Sequence, residues 1–448
     1  MIFHQIALNL RIRRLSHLNM SLAPTVVTSY GPVRGIVKDG VLEYLGIPYA
    51  EPPVGDLRFR HPLPPKPWTG VLDATRGGAN CIQEKSRFST GNNSEDCLYL
   101  NVFVPQAPSG KLPVMVWVHG GSFATGGTGR KSEDTEVLEY ELGGFAKETG
   151  TIVVSINYRL NLFGFLNLHF LSDRFDMNCG LYDQLMALKF VHANIEAFGG
   201  DPDNITLFGQ SAGGEGVLSM LSSPLSRGLF QKAIVQSPPV NHVRTEEESR
   251  KVSLRYLRLL GIGRKRVEKV LNVSHSKVAR ANRLLLYSTI LRGDIRCPFA
   301  PVVDGEILFG KPVESLSKVS VPLLIGTAAH EADLFVGERL RRLSDSITKS
   351  DFSGPVEEVV NTYGGPVRRY LFDYITPQMR KSHLRCCHAS DLPILLGRPL
   401  KGICTKMDVT TLQVRRRMRA LWKEFAYNGL DGSLSGEGIL EISFYEKE

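Results

Sequence analysis

Gly209-Gln210-Ser211-Ala212-Gly213 is the stretch whose residue types and spacing could do covalent chemistry. It closes an apolar run, Ile205-Thr206-Leu207-Phe208, and opens a helix-like stretch from Gly216 to Leu221. A serine with a glycine two places to either side, set between strand and helix, has the form of a nucleophile elbow. The turn is so sharp that side chains at the flanking positions would collide with it, and its strain presents the hydroxyl outward. A serine hydroxyl is a poor nucleophile until a neutral imidazole takes its proton and a carboxylate fixes that imidazole's tautomer. With 43 glycines in the chain, the pentapeptide alone is close to what chance supplies. Its context has to decide.

Two neighbouring segments strengthen it. Val114 to Val118 runs directly into His119-Gly120-Gly121-Ser122-Phe123. A glycine-rich turn at a strand end can aim several backbone N–H groups at one point, as a tetrahedral oxyanion requires. Phe198-Gly199-Gly200-Asp201-Pro202 makes a tight turn before the elbow strand. Glycines serving turns alone would explain either segment equally well.

The elements that must position these groups are legible as alternating short apolar runs and longer amphipathic ones. Strands are expected at 114–118, 151–156, 205–208, 232–236, 323–325 and 370–372, and helices at 182–197, 213–221, 246–260 and 412–427. That order predicts an α/β fold, a mostly parallel central sheet flanked by helices. No repeat, linker or composition shift marks a second domain, so one large domain is expected.

Composition narrows the function classes. The 448 residues are 42% hydrophobic with a net charge of +9. The basic residues at 251–283 and 415–419 fall at helical spacing among apolar ones, which fits solvated helix faces rather than a nucleic-acid stripe. No apolar run approaches the roughly 18 residues of a transmembrane helix. The first ten residues are mildly apolar but carry His4, Gln5 and Asn9, without the basic start of a secretory signal. The seven cysteines are too few for a disulfide scaffold and have no zinc-site spacing. Asn19, Asn92, Asn204 and Asn272 stand in N-glycosylation sequons.

The chain resembles the type-B carboxylesterase and cholinesterase family of α/β-hydrolases. The likeness rests on Tyr44 to Gly55, on Ser94-Glu95-Asp96-Cys97-Leu98-Tyr99-Leu100-Asn101-Val102, on Asn157-Tyr158-Arg159, Gly164-Phe165-Leu166 and Asn194-Ile195, and on Pro301-Val302-Val303-Asp304-Gly305, besides the elbow. It covers about residues 26 to 430, leaving 1–25 as an N-terminal extension and 26–448 as the α/β-hydrolase domain. The resemblance implies a serine esterase working through an acyl-enzyme on a small-molecule ester, with no cofactor or metal. It implies Ser211 as nucleophile, Glu331 after the strand at 323–325 as the triad acid, and His388 in His388-Ala389-Ser390-Asp391-Leu392 as base. It further implies oxyanion donors at Gly121, Ser122 and Ala212, a substrate pocket at Ile295, Cys297 and Phe299, a Cys81–Cys97 disulfide, and secretion. His330 and His383 are rival bases that lack the His-x-x-Asp-Leu context.

Departures from the family pattern sharpen the expectation. The Cys81–Cys97 loop carries no tryptophan for cation–π binding of choline, and Gln210 stands where cholinesterases place a carboxylate. A broad carboxylesterase is therefore expected, with a cholinesterase-like enzyme as one alternative. Only 57 positions separate Glu331 from His388, so the domain is shortened between 332 and 387 as well as at its C-terminus. Arg385 replaces a glycine, and Pro238-Pro239 a glycine-containing turn. A catalytically impaired, adhesion or ligand-binding relative is the other alternative, because that shortening could misplace His388. A lipid hydrolase would need a lid or interfacial patch, and the sequence reveals neither.

Overall fold

The structure is a computed structural model that describes residues 21–84, 92–106, 110–129, 138–290, 296–435 and 439–443. Eleven strands run across its main sheet: β1 (Ser21–Thr28), β2 (Gly31–Lys38), β3 (Val41–Pro48), β4 (Tyr99–Pro105), β5 (Leu112–Val118), β6 (Ile152–Ile156), β7 (Gly200–Gln210), β8 (Lys232–Gln236), β9 (Leu323–Ala328), β10 (Val367–Asp373) and β11 (Ile439–Ser443). Their spatial order is β1-β2-β3-β4-β6-β5-β7-β8-β9-β10-β11. Pairing is antiparallel from β1 to β6 and parallel from β6 to β11. A further short strand, Leu72–Asp73, runs along β2.

The parallel half forms where the sequence is continuously apolar. All seven residues of β5 and all five of β6 are buried, as expected for strands covered by helices on both faces. Side chains still alternate. Val114, Val116 and Val118 of β5 join the core on one face, and Met115 and Trp117 the core on the other. On the first face lie α2 (Cys179–Asn194), through Leu181, Leu185 and Leu188, and α3 (Ala212–Ser222). On the second lie α1 (Leu142–Thr149) and α9 (Val409–Asn428), whose Val414, Met418, Trp422 and Phe425 recur at helical spacing. The other helices that matter here are α4 (Glu246–Leu259), α5 (His275–Ile290), α6 (Asp333–Val336), α7 (Arg341–Ile347) and α8 (Asp391–Leu396).

Each expected strand and helix is present, the strand at 232–236 with the same ends and the others with shifted ones. The helix expected at 182–197 starts at Cys179 and ends at Asn194, where a 3-10 turn carries the chain to Phe198. The antiparallel strands β1 to β4 were not among the expected elements. Irregularities interrupt the ladders of β1 with β2 and of β3 with β4, so the hydrophobic alternation slips. Among the described residues, no helix is long and apolar enough to cross a membrane.

What the sheet does for function lies at one edge. β7, β8, β9 and β10 are consecutive neighbours running in parallel, so their C-terminal ends emerge side by side. Open α/β sheets place ligand sites beyond these ends.

Candidate active site

Ser211 follows β7 directly and caps α3 with φ 58° and ψ −127°, a conformation that non-glycine residues rarely adopt. Glycine is required on both sides. A Cβ on Gly213 would sit 2.1 Å from the Val118 carbonyl oxygen, and one on Gly209 would meet Gly213 at 2.6 Å. The Ser211 N–H donates to the Gln236 carbonyl at the end of β8 (2.8 Å), which ties the elbow to the next strand.

Glu331 lies just beyond β9 and is fully buried. Its Oε1 accepts from the Ala328 N–H (2.7 Å) and its Oε2 from Nδ1 of His388 (2.6 Å). The His388 N–H also donates to the Glu331 carbonyl (3.1 Å). The other ring nitrogen, Nε2, accepts from the side-chain amide of Gln210 (3.1 Å) rather than from the Ser211 hydroxyl one residue along. This pattern puts the ring proton on Nδ1 and leaves Nε2 as an acceptor, the tautomer in which an imidazole can take a proton. Phe335 and Phe352 flank the ring at 5.3 and 5.2 Å between centroids.

A cavity of about 430 Å³ opens over these groups. Gly120, Gly121, Ser122, Gln210, Ser211, Cys297, Phe299 and His388 all line it. Gly121 and Ser122 follow β5, with φ values of 120° and 59°. Ala212 does not line the cavity, but it opens α3, whose first intrahelical bond is made by the Glu215 N–H; its own N–H is one of the helix's orphan donors. Cys297 donates its thiol to the Ser122 carbonyl, so the pocket wall also holds the glycine-rich turn. Ile295 lies outside the described residues.

The rival histidines are elsewhere. His330 pairs with Asp345 (3.3 Å), and His383 is exposed. His119 is buried under the turn against Tyr158, and burial pushes its imidazole down to about 4. Cys81 and Cys97 are free, buried thiols in this structure, with Cys97 hydrogen-bonded to Cys81. Among the described residues no group of His, Cys, Asp and Glu side chains could hold a metal ion.

Two supports of His388 escaped the sequence reading. Arg385, three residues before it, forms a two-pronged pair with Asp333 (2.8 and 2.7 Å) and also reaches Asp345 (2.8 Å). Asp333 is only 2% exposed and accepts a further bond from Ser344 (2.5 Å). With the backbone bond from the His330 N–H to the Cys386 carbonyl (2.8 Å), this cluster joins the Glu331 loop to the His388 loop. Sequence marked Arg385 only as a substituted glycine, because its two carboxylate partners lie 40 or more positions away. Asp391, the second support, is buried at the start of α8 and accepts from the Gln236 amide (2.5 Å). Burial, with Glu331 nearby, pushes its carboxyl up to about 6.

Comparisons with known proteins bear on the family and the fold. Residues 22–342 match the model of the Carboxylesterase family. The chain is 42% identical over 318 residues to a para-nitrobenzyl esterase of Bacillus subtilis (strain 168), covering 69% of this chain and 63% of that protein. It is 49% identical over 222 residues to a juvenile hormone esterase of Tribolium castaneum, covering 48% and 36%. Against these and three further curated relatives, the chain spans 36% to 63% of their lengths. Two solved structures, a thermophilic pNB esterase and a carboxylesterase of Geobacillus stearothermophilus, superpose with TM-scores of 0.81 and 0.80 at 32% and 31% identity. In both cases 94% of this chain and 96% of the other is covered, so the fold is the α/β-hydrolase fold.

Arg385→Ala leaves Asp333 buried without its cation, which for such pairs costs about 3 kcal/mol. Hydrogen exchange at residues 385–390 should accelerate in this variant, with Arg385→Lys intermediate; unchanged protection would refute the clamp. Asp391 has the opposite character. Its folded value of about 6 exceeds the ordinary 3.8, so the stability from its neutral form is full below about pH 4 and lost as pH rises through about 6. Asp391→Asn should therefore gain on the parent in Tm as pH rises through that window, and a difference flat in pH would contradict the assignment.

Proposed function

The chain belongs to the carboxylesterase family, and from that premise we propose that it hydrolyses uncharged carboxylic esters through an acyl-enzyme intermediate. The observation that carries the reading is a meeting at one cavity: an elbow serine, and an imidazole whose far nitrogen is held by a buried carboxylate at 2.6 Å.

The steps follow from the groups present. An ester entering the cavity brings the Ser211 hydroxyl to Nε2 in place of the Gln210 amide. His388 takes the proton while the oxygen attacks the carbonyl carbon, and Glu331 stabilises the imidazolium that forms. The N–H groups of Gly121, Ser122 and Ala212 receive the developing oxyanion; one such donor contributes about 3–4 kcal/mol to the transition state. His388 then returns the proton to the leaving alcohol, and water repeats the sequence to release the acid.

The substrate class follows from the wall. Its charged members are engaged: Glu84 with Arg283 (2.8 Å), and Arg398 with the Tyr140 hydroxyl (2.7 Å). Trp117 and Trp422 are buried in the core and Trp68 packs on Tyr30, so none offers a ring to a quaternary ammonium. Relatives named for para-nitrobenzyl esters and for juvenile hormone support breadth rather than one substrate. The finer reading is an oxidising, glycosylating compartment, with Cys81 and Cys97 joined and glycans on Asn92 and on the exposed Asn272. The support is the contact of the two thiols and the sequons; Asn19 lies outside the described residues. Peptide mapping of the secreted protein without reductant tests it, and two free thiols there would end it.

A fluorophosphonate reagent should label the parent and not Ser211→Ala. Loss of the serine should lower kcat on p-nitrophenyl butyrate by about 10⁴ or more. Folded parent that resists labelling would end the esterase reading, and a preference for a thiocholine ester would end the uncharged-substrate part of it.

A further inference from the structure

Seventeen large apolar side chains stand exposed among the described residues, and six of them fall in two short segments beside one cavity. Leu284, Leu286 and Tyr287 lie on α5; Phe335, Leu340 and Leu343 lie on α6, α7 and the turn between them. Leu286, Tyr287, Leu334 and Phe335 line the active-site cavity itself, so both segments border its opening. Tyr287 and Phe335 are each 59% exposed and Leu340 is 53% exposed. Single exposed leucines are ordinary on protein surfaces, but a cluster at the entrance to a cavity marks an interaction surface.

The charges interleaved with this patch are mostly of one sign. α5 carries Lys277, Arg280 and Arg283 and no acidic residue. The stretch 335–343 carries Arg339, Arg341 and Arg342 against a single acid, Glu338. Lys277, Arg280, Arg283, Arg339, Arg341 and Arg342 are all exposed, as is every residue from Glu338 to Leu343. Arg283 reaches Glu84 (2.8 Å) and Arg341 reaches Glu338 (3.7 Å), which leaves the patch basic overall.

Apolar side chains ringed by cations fit a surface that is negative at its face and apolar just beneath. A second copy of the chain fits poorly, because self-pairing sets cation against cation. We infer that the face formed by α5 and residues 335–343 docks on an anionic phospholipid bilayer, with the cavity mouth turned toward the lipid. The inference rests on the esterase reading only in what docking is for: an ester dissolved in the bilayer then reaches Ser211 without crossing water. Leu340, at the N-cap of α7, and Leu343, in its first turn, insert, while the arginines meet the headgroups.

Sedimentation with vesicles tests this directly. The full chain should bind vesicles of 70% phosphatidylcholine and 30% phosphatidylserine and not pure phosphatidylcholine, with binding falling as salt rises. Each cation near such a surface contributes about five-fold, so replacing Arg339, Arg341 and Arg342 together by Gln should weaken binding on the order of a hundred-fold. Leu340→Ser with Leu343→Ser should abolish it. None of these five residues lines the cavity, so turnover of soluble p-nitrophenyl butyrate should survive in every variant. Equal binding to both vesicle types, no binding, or unchanged binding in both variants would overturn the inference. So would a dimer in light scattering that the leucine pair abolishes in place of vesicle binding. A parent that binds vesicles yet turns over no ester refutes the esterase reading and leaves the docking face standing.

Discussion

The backbone of Ser211, held in the left-handed region at the end of a buried parallel strand, is the constraint on which the site depends. Such a conformation costs on the order of 1–3 kcal/mol and survives only where the surroundings over-determine it. Here they do. β7 lies between β5 and β8, α3 begins at the next residue, and the Gln236 carbonyl takes the Ser211 N–H. Gly213 approaches β5 so closely that no side chain fits. One strained residue therefore sets three positions together: the side chain of 210, the hydroxyl of 211 and the N–H of 212.

The first of these positions gives the site its resting state. Gln210 offers an amide N–H to Nε2 of His388, so that nitrogen is an acceptor in this structure. A carboxylate at 210 would present only acceptors to that atom. The neutral side chain thus agrees with Glu331 on the same tautomer, since Glu331 takes the Nδ1 proton from the other side.

How much was legible beforehand follows from the range of each interaction. The parallel strands and their helices were readable because β5, β6 and the 205–208 part of β7 are buried and mostly apolar. Ser211 and its glycines were readable because the elbow is local. Glu331 and His388 came only through motif resemblance, since 57 positions separate them and only the fold brings them within 2.6 Å. The antiparallel edge was missed because bulges break its alternation. The Arg385 cluster was missed because it joins residues that only the fold brings together. The apolar entrance was invisible for a related reason: the helices at 275–290 and 341–347 were not among the expected elements, and only exposure in the fold sets Leu286 and Leu343 apart.

These last two features belong to one geometric problem. The interval from 331 to 388 is short, and it has to return from the end of β9 through β10 to the same edge of the sheet. It does so with the four-residue α6, with α7 and its unbroken helical continuation to Thr362, which buries Phe352, Val356 and Val359, and with β10. Residues 386–390 are buried in the core, and charge adds to that packing: Arg385 draws Asp333 and Asp345 onto the segment that precedes His388. The clamp uses the inward side of α6 and α7, where Asp333 and Ser344 are buried, which leaves Phe335, Leu340 and Leu343 on the outward side. A return segment built this way keeps the imidazole in register with Glu331 and at the same time presents apolar side chains at the cavity mouth.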